Sequence, residues 1–88
     1  MPTVWIPPLL RELTGGQETV SVPGDTVRQV IDAMEAAYPG VRARLCDGDR
    51  LRPGLSVVVD GKASRRGLGQ PLTEASEVHF VPAVGGGG

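Results

Sequence analysis

EVHFVPAVGGGG, residues 77–88, is the stretch on which the fold turns. Val78 and Phe80 fall on one side of an alternating pattern and His79 and Val81 on the other, so residues 77–84 predict a strand. No helix or turn signal follows. Pro82-Ala83-Val84 leads directly into Gly85-Gly86-Gly87-Gly88, so the last regular element passes straight into a glycine tail. The expected division is one folded unit over residues 1–84 and a flexible tail over 85–88. Everything upstream must supply a sheet for that strand and a layer to cover it.

The next strand upstream is LSVVVD (55–60), a β-branched run closed by the turn dipeptide Asp60-Gly61. Residues 62–72 are expected to be irregular, with Leu68 and Leu72 as inward anchors, and Thr73 to Ser76 to form a turn. Asp47 to Gly54 reads as a polar loop and VRARL (41–45) as a short helical turn. The clearest element lies before them. Thr26 and Gln29 match the S/T-x-x-E/Q capping box. Val27, Val30, Ile31 and Met34 then occupy i, i+3, i+4 and i+7, one face of a helix, and Tyr38 extends the stripe. Arg28, Asp32 and Glu35 are expected to face water, and Pro39-Gly40 to end the helix. At the amino terminus TVWI (3–6) and QETVSV (17–22) have strand character, with the turn signal Thr14-Gly15-Gly16-Gln17 between them.

The order is therefore β-β-α-β-loop-β, an α+β layer rather than a doubly wound sheet. A β-grasp fold satisfies it: a mixed sheet of four to five strands with one main helix packed across it. In that fold the first and last strands are parallel neighbours, which buries the final strand and leaves the tail free to project.

Composition limits the function classes. Eighty-eight residues support one core. With only Trp5, Tyr38 and Phe80 aromatic, that core must be built from Val, Leu and Ile. Nine basic against ten acidic residues leave a net charge of −1, which gives no electrostatic reason to expect nucleic acid or an anionic membrane as partner. No apolar stretch approaches the roughly 20 residues of a membrane span. A single cysteine, Cys46, forms no internal disulfide, so a cytoplasmic setting is the default.

The chain resembles the β-grasp sulfur carriers related to ubiquitin: the small subunit of molybdopterin synthase, the thiamin carrier and the carrier of the cysteine-biosynthesis route. The resemblance spans essentially all residues and is most specific in IPPLLRELTGGQ (6–17), GDTV (24–27) and FVPAVGGGG (80–88). The first block is most similar to the cysteine-route carriers, which share an I-P-x-x-L-R-x-x-T-G-G-Q pattern there. The resemblance implies a carrier and not an enzyme, with no bound cofactor, metal or catalytic residue of its own. An E1-like enzyme would consume ATP to adenylate the terminal glycine carboxylate, and a sulfur donor would turn the adenylate into a thiocarboxylate. A PLP-dependent cysteine synthase or another synthase would accept the sulfur, and a metallopeptidase would release cysteine from the carrier's end. Two alternatives share the tail chemistry: a small subunit of molybdopterin synthase, and a ubiquitin-like protein modifier.

Gly88 is the expected sulfur-bearing residue and Gly87 the next candidate, because the family pattern P-A-V-x-G-G is one residue shorter than this ending. Gly85 and Gly86 would thread the activating enzyme's channel, where a Cβ would meet the walls. Four extended residues reach about 13 Å.

On the remaining candidates, the residues favour structural roles. Cys46 follows a helical turn with no His near it in sequence, so packing is favoured over nucleophilic or zinc chemistry. Gly61-Lys62-Ala63-Ser64 lacks the upstream glycine of a phosphate loop. Asp47-Gly48-Asp49 lacks further calcium ligands. Val58, His79 and Val81 are expected to share the sheet face away from the helix as a partly apolar partner surface. Arg65-Arg66 forms a solvated corner that could dock an acidic groove.

Overall fold

A computed structural model of the chain describes residues 1–82. The expected strand end at Ala83 and Val84, the domain boundary there, and the tail glycines Gly85 to Gly88 lie outside the described residues. Seven strands and two helices follow in order: β1 (Thr3–Trp5), β2 (Thr19–Ser21), α1 (Val27–Ala37), α2 (Val41–Leu45), β3 (Cys46–Asp47), β4 (Arg50–Leu51), β5 (Leu55–Val59), β6 (Lys62–Ala63) and β7 (Glu77–Pro82). The main sheet has five strands in the order β2-β1-β7-β5-β6. β7 pairs parallel with β1, aligning Val4 with Val78 and Trp5 with His79. It pairs antiparallel with β5, aligning Val57 with Phe80 and Val58 with His79. The last strand is thus the middle of the sheet, as the β-grasp reading requires.

α1 covers one face of that sheet. Its start follows from the capping box: the Gln29 N–H donates to Thr26 Oγ1 at 3.2 Å, and Gln29 Oε1 accepts from the Asp25 N–H at 2.7 Å. The return bond therefore reaches one residue further back than in the usual box. Val27, Val30, Ile31 and Met34 are fully buried against Val4, Val20, Val57, Val78 and Phe80 in one core. Leu68 and Leu72 join it as the expected inward anchors, and Tyr38 packs at its margin. Cys46 is buried in the same cluster, which is the packing role expected of it.

Four expectations change. The β1–β2 connection is not a tight hairpin: Pro8–Leu10 forms a 3-10 turn that sends Leu10 into the core. Thr14-Gly15-Gly16-Gln17 closes only its second half, with φ of +67° and +85° at the two glycines. The polar loop at 47–54 contains the small β3–β4 ladder, in which Cys46 faces Leu51. Its apolar ends were separated by too few residues to show a period. Residues 62–72 are not wholly irregular either, because Lys62 and Ala63 add β6 to the sheet edge. Asp60 and Gly61 both have positive φ, +51° and +83°, the type I′ geometry that matches strand twist and makes this hairpin tight. Finally, Glu35 does not simply face water. Its carboxylate accepts from the N–H groups of Gly40 (3.1 Å) and Arg42 (2.8 Å), tying the end of α1 to the start of α2.

Candidate functional site: the open sheet face

The face of the sheet opposite α1 is set by strand parity. Val4, Val78, Phe80 and Val57 point into the core, so their neighbours Thr3, Trp5, Glu77, His79, Val81, Ser56 and Val58 point away. Register places Thr19, Trp5, His79, Val58 and Ala63 in one row across all five strands. Val58, His79 and Val81 are half-buried, so the sheet face expected from their spacing does bring these three together. Arg65 and Arg66 do not belong to that row. They lie exposed between β6 and the 3-10 turn at Gly67–Gly69, where the Arg66 N–H donates to Ser64 Oγ at 3.0 Å.

Trp5 is the residue that sequence reasoning missed. Its ring stacks on His79 with centroids 5.2 Å apart and planes 10° apart, and its Nε1–H donates to Glu77 Oε1 at 3.0 Å. An indole that is 38% exposed would ordinarily sample rotamers; here two contacts from β7 hold it. The signal was available. Val4 must be buried in a strand, so Trp5 must be on the other side, and parallel pairing of the first and last strands sets it beside the 77–81 segment.

The rest of the surface carries less chemistry. Burial pushes the Cys46 thiol above its ordinary range, with nearby arginines opposing only in part, so the thiolate a nucleophile needs is disfavoured. The Glu35 carboxyl is held below its ordinary range by the N–H groups of Arg42 and Gly40, a cap and not an acid-base group. No helix among the described residues is long and apolar enough to cross a membrane.

Comparisons with known proteins agree with this architecture. The ThiS family matches residues 4–87. Sulfur carrier protein CysO of Mycobacterium tuberculosis is 39% identical over 90 residues, covering 97% of each chain. Among solved structures, a chain of the Amycolatopsis orientalis BexX/CysO complex superposes with a TM-score of 0.89 at 34% identity, over 98% of this chain and 99% of that one. Small archaeal modifier protein 1 of Haloferax volcanii follows the same fold with a TM-score of 0.71 at 29% identity, over 97% of both chains. The family match over nearly the whole chain, the identity to a curated sulfur carrier and the close superposition agree, and this chain belongs to the ThiS family of ubiquitin-like β-grasp sulfur carriers.

Proposed function

We propose that this carrier holds sulfur as a thiocarboxylate on its last glycine and delivers it to a synthase that makes cysteine or another sulfur-containing metabolite. One observation carries the reading. β7 is hydrogen-bonded on both sides in the middle of the sheet, and the sequence after it runs to four glycines. The glycine run 85–88, free of side chains, is the segment offered to a partner in this reading, because glycine admits the close approach a narrow channel demands.

The chemistry balances with an E1-like enzyme and ATP. The Gly88 carboxylate, or that of Gly87 if the tail is one residue shorter in use, attacks the α-phosphorus and pyrophosphate leaves. Hydrosulfide then adds to the acyl carbon, the C–O bond to AMP breaks, and the thiocarboxylate remains. An ionised carboxylate is a poor electrophile, so adenylation supplies the leaving group, and the resulting sulfur anion is the better nucleophile. The acceptor in this reading is a PLP-dependent cysteine synthase, with a metallopeptidase freeing the product, or another sulfur-accepting synthase. Val58, His79 and Val81 supply the partner surface beside the tail, with Arg65 and Arg66 available to an acidic rim. That a similar chain occurs in the BexX/CysO complex supports a protein partner.

Intact-mass spectrometry tests the proposal. With an adenylating enzyme, ATP and sulfide, the chain should gain about 16 Da, the exchange of one oxygen for sulfur. No gain under conditions where the enzyme activates another carrier refutes it. Turnover with O-phosphoserine and a PLP synthase, against turnover of a molybdopterin precursor, separates the cysteine route from the molybdopterin subunit. The likeness to the Haloferax modifier favours one other reading, protein modification, which predicts lysine-linked conjugates in the same reaction.

A further inference from the structure

The block 6–17 carries four polar side chains, Arg11, Glu12, Thr14 and Gln17, and three of them have partners. Thr14 Oγ1 shares its proton between the carbonyl oxygens of Arg11 and Gln17, each 3.3 Å away. Gln17 Nε2 donates to Thr14 O at 3.1 Å and to the Tyr38 hydroxyl at 3.0 Å. Glu12 Oε1 accepts from Arg44 at 3.0 Å. Arg11 is the exception. Its carbonyl is the hub of the turn, accepting from the N–H groups of Thr14 and Gly16. Its Nε–H is buried and has no acceptor, and no ion pair among the described residues includes it.

We infer that Arg11 binds the chain's own terminal carboxylate and so holds the end of the glycine run against the domain until a partner takes it. Place, charge and reach agree. Trp5 is level with His79. The chain then stays extended through Ile6, whose N–H donates to Glu18 O at 2.8 Å, and Pro7, at φ −66° and ψ 154°. Continuing that register sets Pro8 level with Pro82, about 5 Å apart across neighbouring strands. The Arg11 N–H donates to Pro8 O at 3.2 Å, so this arginine stands at the end of the sheet where β7 leads to the tail. Six residues beyond Pro82 reach at most about 20 Å, several times that strand spacing.

The chemistry of the ligand follows from what Arg11 lacks. A guanidinium is all donor, keeps its charge, and fits a carboxylate with paired N–H bonds. Arg44, the cation in contact with the same segment, is already bonded to Glu12 and to Leu9 O. Holding the carboxylate alone does not require each glycine to be fixed, and the cost of closing a loop rises only slowly with its length. A thiocarboxylate is an anion as well, so the same contact would hold a sulfur-loaded end. The inference itself needs only the terminal carboxylate and does not rest on the function proposed above.

An NMR pH titration of the full, carbon-13-labelled chain tests this with no enzyme present, so its result is independent of whether the chain is adenylated. The Gly88 carboxyl of the wild type should titrate about 0.5 pH unit below its midpoint in Arg11→Gln, the size of a partly exposed ion pair. Salt at about 1 M should remove most of that difference. Lys62→Gln, which removes a cation from the edge strand β6, should leave the Gly88 midpoint at its wild-type value. Arg11 makes its turn bonds through the backbone, so Arg11→Gln should keep the fold. If it does not, the wild-type Arg11 Nε–H signal should still move with the Gly88 midpoint. Equal Gly88 midpoints, or an Nε–H signal that ignores the Gly88 titration, overturn the inference. A shift of Glu18 in place of Gly88 would assign the guanidinium to that carboxylate and also overturn it. So would an Nε–H signal that moves only when a partner protein is added, which would assign Arg11 to a carboxylate on the partner.

Discussion

Phe80→Ala is the sharpest test of how the tail-bearing strand is held. Phe80 is 4% exposed and is the one aromatic among the buried apolar residues, opposite Val57 on β5. The core it shares is mainly Val, Leu and Ile. β-branched side chains are stiff at χ1, and Val57 and Val78 sit on hydrogen-bonded central strands, so the walls of the cavity have little freedom to collapse. Phe→Ala in such a site costs about 3–5 kcal/mol, and the stiff lining puts the expectation near 4 kcal/mol. A chain of this length has a total stability of only about 4–13 kcal/mol. The substitution should therefore lower the melting temperature by about 16–30 °C.

Trp5 makes the measurement simple, because it is the one tryptophan and its environment is the stack on His79. Urea unfolding followed by its fluorescence should show a lower midpoint with an unchanged m-value. Phe80→Leu should fall between, at about 1–2 kcal/mol. A loss below about 1.5 kcal/mol for Phe80→Ala, with m unchanged, would mean that the core relaxes around β7 and that the strand is not a rigid mount.

Three further outcomes follow from local geometry. Gly24 has φ of +155°, and a Cβ there would lie 2.8 Å from both Val30 N and Val30 Cγ2, so Gly24→Ala should cost about 1–3 kcal/mol in chemical denaturation. Thr26→Ala removes the oxygen that caps α1 and should cost about 1 kcal/mol, most of it restored by Thr26→Ser. Glu35 should titrate below its ordinary value of 4.5 in a carbon-detected NMR titration. Because its folded-state pKa is depressed, its contribution is present above the unfolded value and is lost as pH falls through the folded one. Glu35→Gln should accordingly flatten the acid limb of stability against pH, and an unchanged limb would show that the cap contributes nothing.

Where the chain announces itself, it does so through period and punctuation. The helix over 27–37 was legible because four apolar residues at helical spacing follow a capping box, and the burial of all four agrees. The parallel pairing of the first and last strands was legible because the order of elements fits a β-grasp fold, in which those strands are neighbours. β3, β4 and β6 were not legible. Each is two residues long, too short for alternation to register, and each exists because a turn folds the chain back on a partner. Of the candidate surface, Val58, His79 and Val81 could be grouped by parity within their own strands. Trp5 could not be added from the 3–6 segment alone, since its place depends on a parallel pairing with residues more than seventy positions away.

The glycine run also sets a cost that the proposed function has to meet. Fixing each glycine of the run 85–88 in an enzyme channel costs about 1–2 kcal/mol of backbone entropy, so the four together cost about 4–8 kcal/mol. Glycines bring no side chains to offset this, and backbone hydrogen bonds in the channel return only about 1 kcal/mol each on balance. The deficit has to be met by contacts formed elsewhere on the same partner. Val58, His79 and Val81 on the open sheet face are the proposed source of those contacts, and five residues, Phe80 to Val84, separate His79 from the first glycine. If the tail is threaded as proposed, adding a side chain within the glycines should be felt at the chemical step of adenylation. A Gly86→Ala chain with KM for adenylation raised and kcat kept would argue against this reading.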